Sequence, residues 1–433
     1  MYKYRGTDIV VEFPEKYVSK EYEFRGAWVT PICNDFKPSP IKEEMMDELN
    51  AVIKKLKEYH MNSVIFHVRV YNNSLYNSNR APIDKRFGDF KEWDYLKWFI
   101  DECHKNNIEF HAWLNPYRIK AYGYPSDVKV EDIAKDYKDY PLNPASDKDN
   151  ILLTYRPDGT HGAVLNPCKE VVMKHIIDVC MELINNYDID GIHFDDYFYA
   201  QMSPNIDVLT EADQADYELF IDSNVNCAYK KDSSEDKKNW RRDNVNKFIY
   251  DLHCEIDKFN KENKDNRYVQ FGISPTGIYK NGDGSVEKGS NTSGQAHYES
   301  YLFCDSMKWV ENEWIDYIIP QSYWAFGHPV ASYADVSDWW NKALEGKKTR
   351  LYLGMGIYMS HNPNSYSWAL ENNYEASDQV LYNCKLKNVL GTCIFAFSDI
   401  YFLEKEDTCS YNGLKRIKEE YWTSDVLVPR VRK

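Results

Sequence analysis

Eight short apolar segments, rich in β-branched and aromatic residues, recur along the chain and alternate with longer amphipathic segments. Strands joined by crossover helices form a parallel sheet, and eight such units can close on themselves. The sequence therefore predicts an α/β fold, a (β/α)8 TIM barrel with long βα-loop insertions. The eight predicted strands lie near Arg25–Thr30, Asn62–Val68, Ile108–Leu114, Ile189–Phe194, Tyr268–Ser274, Ile315–Pro320, Leu351–Gly356 and Leu390–Phe397.

Two of the intervening segments have the apolar spacing of helices. Apolar residues recur at intervals of three and four from Ile41 to Tyr59 and again from Val172 to Leu183. Pro40 precedes the first segment and Pro167 opens the second, positions that suit a helix start because the first turn leaves its N–H groups unbonded. Both segments are predicted to be crossover helices.

Three connections are long and polar, namely Ala121–Leu165, Gln201–Asn239 and Ile278–Ser300, after the third, fourth and fifth strands. In a barrel, connections that follow strands lie at the C-terminal face, where these three would build a cleft. An open doubly wound sheet is the alternative, and it typically has a Gly-rich turn after its first strand. No G-x-G-x-x-G follows the first strand and no P-loop motif occurs, so the barrel is favoured.

The chain has no Pro- or Ser-rich linker and no internal repeat, which favours one elaborated domain. We predict an N-terminal extension over residues 1–24 and a barrel over 25–411. Residues 412–433 form a C-terminal helix, near Asn412–Tyr421, and a tail.

Composition excludes several classes of partner. The formal net charge of -15 argues against binding to nucleic acid or to an anionic membrane, since either needs a basic surface. No apolar run is long enough to span a bilayer, and the N-terminus lacks the apolar core of a signal peptide, which predicts a cytoplasmic protein. A chain trimmed of an export signal would begin in the same way. Ten scattered cysteines without a C-x-x-C pair are predicted to be reduced and structural rather than zinc ligands.

The segment from Asp190 to Tyr197, which reads DGIHFDDY, is the main candidate for chemistry. Its apolar residues suit a buried strand, and the strand delivers two adjacent carboxylates, Asp195 and Asp196, to its end. Both can stay usable only where the strand ends and the backbone turns. Crowded carboxylates take pKa values that differ, so that one stays protonated, as glycosidic cleavage requires. We predict that these two aspartates are the catalytic residues.

Polar and aromatic side chains cluster at the predicted ends of other strands, where they could stack on sugar rings or bond hydroxyl and acyl groups. With 15% aromatic residues, the chain is well supplied with such rings. The predicted substrate-binding residues are Arg69, Tyr71, Trp113, Asn115, Arg118, Asn166, His193, Tyr197, Ser274, Gln321, Tyr323, Trp324 and Asp399. The predicted partner is a carbohydrate, with no cofactor, and the sequence indicates no oligomeric state.

Other interpretations stay open at these residues. Arg69 or Arg118 could neutralise the aspartates in a structural salt bridge, and Asp399 could simply cap a helix. His67, His111, His193 and Asp195 could converge on a metal, although no H-x-H or H-E-x-x-H motif anchors them. The loop that begins at Asn281 spaces oxygen ligands like a calcium loop, but its twelfth position is Thr292 instead of glutamate.

The same residues resemble a known family, the glycosyl hydrolase-like barrel proteins related to family ten, long a domain of unknown function. The matching segments are RGAW from Arg25, LNPYR from Leu114, DGIHFDDY from Asp190, GISPTGI from Gly272, Asp305 to Trp309, and DYIIPQSYW from Asp316. The resemblance implies a (β/α)8 barrel that hydrolyses glycans, and bacterial members are associated with cell-envelope glycans, including peptidoglycan stripped of its peptides.

The segment at Asp190 is also similar to the D-G-x-D-x-D-x-E signature of family-eighteen chitinases. Asp190 and Asp195 match it, while His193 replaces an aspartate and Tyr197 replaces the catalytic glutamate. This leaves Asp196, or a residue from another strand, as proton donor. We predict a glycoside hydrolase that cleaves a β-linked glycan containing N-acetylhexosamine. The alternatives are a metal-dependent hydrolase or deacetylase and a barrel that binds carbohydrate without cleaving it.

Overall fold

The computed structural model describes residues 2–265, 267–361, 373–403 and 411–429. Within it, eight parallel strands form a closed barrel. The eight strands are β1 (Phe24–Val29), β2 (Ser63–Arg69), β3 (Glu109–Leu114), β7 (Gly191–Phe194), β8 (Gln270–Ile273), β9 (Tyr317–Ile318), β10 (Arg350–Gly356) and β11 (Val389–Phe395). Around the barrel they follow the order β1-β11-β10-β9-β8-β7-β3-β2. Each coincides with a predicted strand, so the predicted TIM barrel is confirmed.

Helices lie between the strands and cover the outside of the barrel. They are α1 (Lys42–Glu58), α2 (Tyr95–Lys105), α3 (Val130–Lys135), α4 (Glu170–Asn186), α5 (Gln214–Ser223), α6 (Ser234–Glu262), α7 (Ser306–Glu311), α8 (Tyr333–Ala343), α9 (Glu375–Asn383), α10 (Phe397–Leu403) and α11 (Tyr411–Arg416). A π-helical turn, Ile417–Tyr421, continues α11. Short 3-10 turns occupy Lys85–Phe87, Pro144–Ser146, Lys148–Asn150, Val208–Thr210 and Ile357–His361.

The two crossover helices predicted from apolar spacing are α1 and α4, and both bury the predicted stripe. Their starts differ in detail from the prediction. Ile41 caps α1 and its side chain is half exposed, so it is not part of the buried stripe. Pro167 does not open α4, which begins at Glu170, because Asn166 and Cys168 form a turn in which the Asn166 side chain accepts the Cys168 N–H.

The long connection after β3 holds a small antiparallel sheet that the sequence did not reveal. Its strands are β4 (Arg118–Tyr124), β5 (Ile151–Tyr155) and β6 (His161–Leu165), in the order β4-β6-β5. The connection after β7 contains α5 and leads into α6, whereas residues 278–300 form a loop closed by the bridge between Asn281 and Ser290. All three connections follow strands, as predicted, and they build up the C-terminal face of the barrel.

The inside of the barrel is filled by its own set of side chains, separate from the apolar layer between strands and helices. This inner cluster consists of Phe24, Trp28, Ile65, Trp113, Tyr317, Ile319, Tyr352 and Cys393. Barrel interiors are ordinarily dominated by branched aliphatic residues. An interior this rich in aromatic rings leaves hydroxyl and ring N–H groups that need hydrogen-bond partners inside the barrel.

The remaining predictions on the fold concern the termini and the cysteines. Residues before β1 pack on the barrel, where the Tyr4 hydroxyl donates to Asp338 of α8 at 2.8 Å. The described cysteines form no disulfide, and Cys409 lies outside the described residues. No helix in the described ranges has the length and apolar character that crossing a membrane requires.

Candidate active site

The carboxylate pair stands at the mouth of the barrel because β7 ends just before it. Along β7, Ile192 and Phe194 face the helices, while His193 faces the interior, as strand alternation requires. After Phe194 the chain turns, and the Asp195 carboxylate accepts the backbone N–H of Tyr197 at 3.2 Å. Asp195 is only 3% exposed and Asp196 is half-buried. Both therefore remain at the same opening, with Asp195 the deeper of the two.

Both aspartates line one cavity of about 250 Å³ at the C-terminal ends of the strands. Its walls come from Trp28, Thr30, Ile32, Cys33, His67, Trp113, Asn115, Arg118, Asp195, Asp196, Tyr197, Ser274, Gln321, Tyr323, Tyr358 and Phe395. Nine of these residues were predicted as catalytic or substrate-binding. The structure thus brings side chains from all eight barrel strands, or from the segments directly after them, around one small opening.

The surroundings of the two carboxylates favour their protonated forms. Burial, and then the charge of Asp196, raise the pKa of Asp195 well above its ordinary value. Burial raises the pKa of Asp196 to about 6, against the lowering effect of the Arg118 guanidinium. Two adjacent carboxylates at low dielectric repel when both are ionised, so one proton is shared by the pair near neutral pH.

Arg118 stands beside the pair without neutralising it. Its guanidinium lies 3.2 Å from the centroid of the Tyr197 ring and makes a cation–π interaction with it. Among the described residues, no ion pair joins Arg118 or Arg69 to Asp195 or Asp196. The salt bridge considered from the sequence is therefore not formed, and Arg118 acts on the carboxylates at longer range.

One wall of the cavity is aromatic. The rings of Tyr323 and Phe395 are nearly parallel, with centroids 5.8 Å apart, and Tyr358 meets Phe395 edge-on. On another side, the ring of Trp113 stacks on His67 at 3.8 Å. The cavity therefore has flat aromatic walls as well as polar side chains. Such a cavity suits a pyranose ring, which is apolar on its faces and polar at its edge.

Three predicted binding residues lie in the scaffold around the cavity and do not line it. The Arg69 guanidinium donates to the carbonyls of Asn115 and Pro116 at 3.0 and 2.9 Å, and so supports the loop that carries Asn115. The Tyr71 backbone N–H bonds to Asn73. Asn166 donates to Asp216 at 2.8 Å, at the base of α5.

Three further predicted residues also lie away from the cavity surface. His193 is fully buried one layer below Asp195, inside the barrel. Trp324 follows β9, and its carbonyl accepts the side-chain amide of Gln379. Asp399 lies in the first turn of α10, outside the cavity wall.

The wall includes residues that were not among the predicted site residues, namely Trp28, Thr30, Ile32, Cys33, His67, Tyr358 and Phe395. Several come from the ends of β1 and β11, the first and last strands, which pair only because the barrel closes. The sequence did contain a signal for these wall residues, because they lie at or near the ends of predicted strands. All eight strand ends of a barrel meet at one mouth, so the residues at every strand end could have been included among the predicted site residues.

The metal-dependent alternative gains no support from the geometry. His111 and His193 both direct Nδ1 at the Tyr317 hydroxyl, at 2.9 and 3.1 Å, inside the barrel. In the part of the chain that the structure describes, no group of three or more His, Cys, Asp or Glu side chains is placed to hold a metal ion. In the calcium-like loop, Asn281 accepts the Thr292 hydroxyl at 2.8 Å.

A larger hollow, about 1230 Å³, lies at the opposite mouth of the barrel, around the N-terminal ends of β8 to β11. Its charged side chains are largely paired, for example Lys261 with Asp257 and Lys348 with Glu313. Barrel enzymes carry their chemistry at the C-terminal face, and the paired carboxylates are there. We therefore take the smaller cavity as the candidate active site.

Comparisons with known proteins identify related sequences and a related fold. The sequence profile described as "Glycosyl hydrolase-like 10" matches residues 23–369. Glycosyl hydrolase YngK of Bacillus subtilis is 30% identical over 385 residues, 87% of this chain and 69% of that protein. Glycosyl hydrolase DigH of Escherichia coli K12 is 29% identical over 363 residues, 82% of this chain and 75% of that protein.

Among solved structures, the glycoside hydrolase domain of PgaB (BpsB) from Bordetella bronchiseptica is similar, with a TM-score of 0.55 and 12% identity. The match covers 92% of this chain and 99% of that chain. At this level of identity the likeness concerns the fold.

Proposed function

The chain belongs to the glycosyl hydrolase-like 10 family, and on that premise we propose that it is a glycoside hydrolase acting on a β-linked glycan that contains N-acetylhexosamine. The observation that carries the proposal is the pair Asp195 and Asp196 in one cavity, with the pKa of each raised by burial. Glycosidic cleavage needs a proton for the leaving oxygen and a second group for the anomeric carbon. A carboxylate pair that shares a proton supplies both.

Asp196 is the better placed general acid and base. It is the more exposed of the two carboxylates, so the oxygen of a glycosidic bond can reach it from the cavity mouth. Its pKa of about 6 keeps it partly protonated near neutral pH, and the same group can accept a proton in the next step. Asp196 would donate its proton to the leaving sugar and later take one from water.

Asp195 lies deeper and would act on the sugar ring itself. In a retaining reaction the shared proton would move to Asp196, and the ionised Asp195 carboxylate would attack the anomeric carbon as the leaving oxygen takes that proton. In a substrate-assisted reaction it would hold the N–H of the acetamido group, whose oxygen then attacks that carbon. The buried position of Asp195, near the indole N–H of Trp113, suits either role, since each requires a fixed carboxylate.

The other walls would hold the sugar in place. The amide of Gln321 donates to the Ser274 carbonyl at 2.9 Å and lies close enough to Asp196 to lower its pKa. Asn115 donates to the Val70 carbonyl at 2.8 Å, which fixes its amide at the edge of the cavity. Arg118 and the ring of Tyr323 would contact hydroxyl or acyl groups and an apolar sugar face, respectively.

Single replacements of the two carboxylates test the proposal. Asp195→Asn and Asp196→Asn should each lower turnover of a cleavable glycan by about 10²- to 10⁴-fold while leaving the fold intact, because the amide cannot exchange the proton. Release of reducing ends from chitooligosaccharides and from peptide-free peptidoglycan would be followed, with circular dichroism as the check on folding. Asp188→Asn, at an exposed carboxylate, is the matched control and should keep wild-type rates.

Near-normal turnover in both site variants would remove the assignment. Binding of these oligosaccharides by the wild-type protein without reducing-end release would favour a barrel that binds glycans but does not cleave them. Loss of activity on treatment with chelator, restored by metal, would favour the metal-dependent alternative.

A further inference from the structure

A continuous set of polar side chains runs down the inside of the barrel below the cavity. We call it the core column, and it consists of Ser274, His193, Tyr317, His111 and Glu109. The successive contacts are 2.8, 3.1, 2.9 and 3.3 Å long. The upper end, Ser274, lines the cavity, and the lower end lies near the opposite mouth. A polar column is unusual in a barrel interior and needs an explanation.

The strands make room for the column. A Cβ on Gly191 of β7 would lie 2.5 Å from His111 Nδ1, and a Cβ on Gly272 of β8 would lie 1.9 Å from the Tyr317 ring. Any side chain at either position would displace a member of the column. The two glycines therefore belong to the same arrangement, because the rings occupy the space that side chains of these strands would fill.

The direction of every hydrogen bond in the column follows from one donor. The indole N–H of Trp28 lies 3.3 Å from His193 Nε2, and an indole can only donate. His193 Nε2 must therefore be the bare, accepting nitrogen, and the Ser274 hydroxyl, 2.8 Å away, shares the single lone pair of that nitrogen with the indole N–H. Burial lowers the pKa of His193 well below its ordinary value, so the ring is neutral and its proton sits on Nδ1.

The rest of the column is then determined. His193 Nδ1–H donates to the Tyr317 oxygen, and the Tyr317 hydroxyl donates to His111 Nδ1, since its proton would otherwise be buried without an acceptor. His111 is left with its proton on Nε2, facing the Glu109 carboxylate. Gln270 also donates to Glu109 and accepts from Arg350, which ties the lower end of the column to the barrel floor.

We propose that the core column is a positioning device, which fixes the tautomer of His193 so that this ring holds Trp28 and Ser274 in the wall of the cavity. Trp28 meets Phe395 edge-on, and the Ser274 carbonyl holds Gln321 beside Asp196. The column thus links residues remote from the substrate to both the aromatic and the polar wall. The effect of the core column on glycan cleavage rests on the proposed function. The tautomers of His193 and His111 do not depend on it.

Nitrogen NMR of the uniformly 15N-labelled full chain at pH 7 tests the tautomers directly. His193 should be protonated on Nδ1 and bare on Nε2, and His111 should show the opposite pattern. The two rings would be assigned from the signals lost in His193→Gln and His111→Gln or, if these do not fold, from contacts with Trp28 and Tyr317. A proton on His193 Nε2 would overturn the proposal whatever the protein cleaves.

Kinetics test the effect on the cavity. Tyr317→Phe removes the central hydroxyl. Tyr352→Phe removes a neighbouring buried hydroxyl of the same aromatic cluster, one for which the described part of the chain offers no hydrogen-bond partner. Tyr317→Phe should raise KM for a cleaved chitooligosaccharide about tenfold, equivalent to roughly 1.4 kcal/mol, with a smaller change in kcat, and should disturb the His193 tautomer. Tyr352→Phe should change neither.

Equal KM values for the two phenylalanine variants and wild type would overturn the positioning role. If the wild-type protein cleaves no glycan and still shows the expected tautomers of His193 and His111, that result would contradict the proposed function but support the hydrogen-bond arrangement of the core column.

Discussion

The protonation of two adjacent side chains decides what the cavity can do. Asp195 and Asp196 are brought together by the end of one strand, and burial favours their neutral forms. Arg118, beside the pair, opposes this effect, because a nearby cation favours a carboxylate over a carboxylic acid. Its guanidinium, stacked on Tyr197, therefore lowers the pKa of both carboxyl groups against the larger effect of burial.

Removing that cation should move the pH profile. In Arg118→Met the pKa of Asp196 should rise by about one unit, because the lowering effect of the guanidinium is lost. The acid then stays protonated to higher pH, so the alkaline limb of the kcat/KM profile shifts upward, although the maximum rate falls with lost substrate contacts. Lys120→Met is the control, as this second cation of β4 lies over the Tyr124 ring, away from the cavity wall. An unmoved limb in Arg118→Met would contradict the electrostatic role.

At the scale of elements, the connection after β7 is held by buried charge. Arg241 of α6 pairs with Asp213 and with Glu211 at 2.5 and 2.7 Å, and Lys237 pairs with Asp213 at 2.8 Å. The side chains of Arg241, Lys237 and Asp213 are fully buried. These buried charges compensate one another, so the cluster fixes the connection to α6.

Breaking the cluster should therefore be costly. Asp213→Asn leaves two buried cations with too little opposite charge, and should lower the free energy of unfolding by about 3–5 kcal/mol. The control is Asp222→Asn, which removes an exposed ion pair with Lys231 and should cost about 0–1 kcal/mol. Urea-induced unfolding followed by tryptophan fluorescence measures both. Similar midpoints for the two variants would show that the buried cluster does not stabilise the connection.

At the scale of the whole molecule, one buried carboxyl group joins distant parts of the chain. Glu375 of α9 accepts the backbone N–H of Phe326 at 2.9 Å and the side-chain amide of Gln379 at 3.1 Å, and the Tyr2 hydroxyl lies 3.4 Å away. Burial raises the pKa of Glu375 to about 7. The folded protein therefore binds a proton here at pH values at which the unfolded chain has released it.

This group makes stability depend on pH in a definite direction. A raised folded-state pKa contributes stability that is fully present below the unfolded value of about 4.5 and is lost as pH rises through about 7. Glu375→Gln imitates the protonated form, so the variant should gain stability relative to wild type between pH 5 and pH 8, on the order of 3 kcal/mol. Thermal unfolding across this range measures it. Glu287→Gln, at an exposed glutamate, should show no such gain, and parallel pH profiles of Glu375→Gln and wild type would refute the assignment.

Local patterns were enough to predict most of the architecture. Strand and helix periodicity are properties of consecutive residues, so the eight barrel strands and the helices α1 and α4 could be predicted before any contact was known. The strand that ends in Asp195 and Asp196 was predicted in the same way, since polar residues directly after an apolar strand must lie at its end. The antiparallel sheet of β4, β5 and β6 was not predicted. Its strands β5 and β6 form a local hairpin, but β4 joins them only through distant pairs such as Arg118 with Val164.

The sequence by itself was enough to predict the barrel, the strand that carries the carboxylates and the glycosyl hydrolase-like family, because each can be recognised from short local patterns of residues. Only the tertiary structure decided how deep each side chain lies and which residues meet where the barrel closes. His193 of β7 and Asp195, directly after β7, point to the same side, towards the barrel axis. His193 lies in the core and Asp195 lines the cavity, because the depth of each side chain depends on where the neighbouring strands end. Trp28 and Phe395 meet in the cavity wall only because the first and last strands pair, a contact that no local pattern encodes.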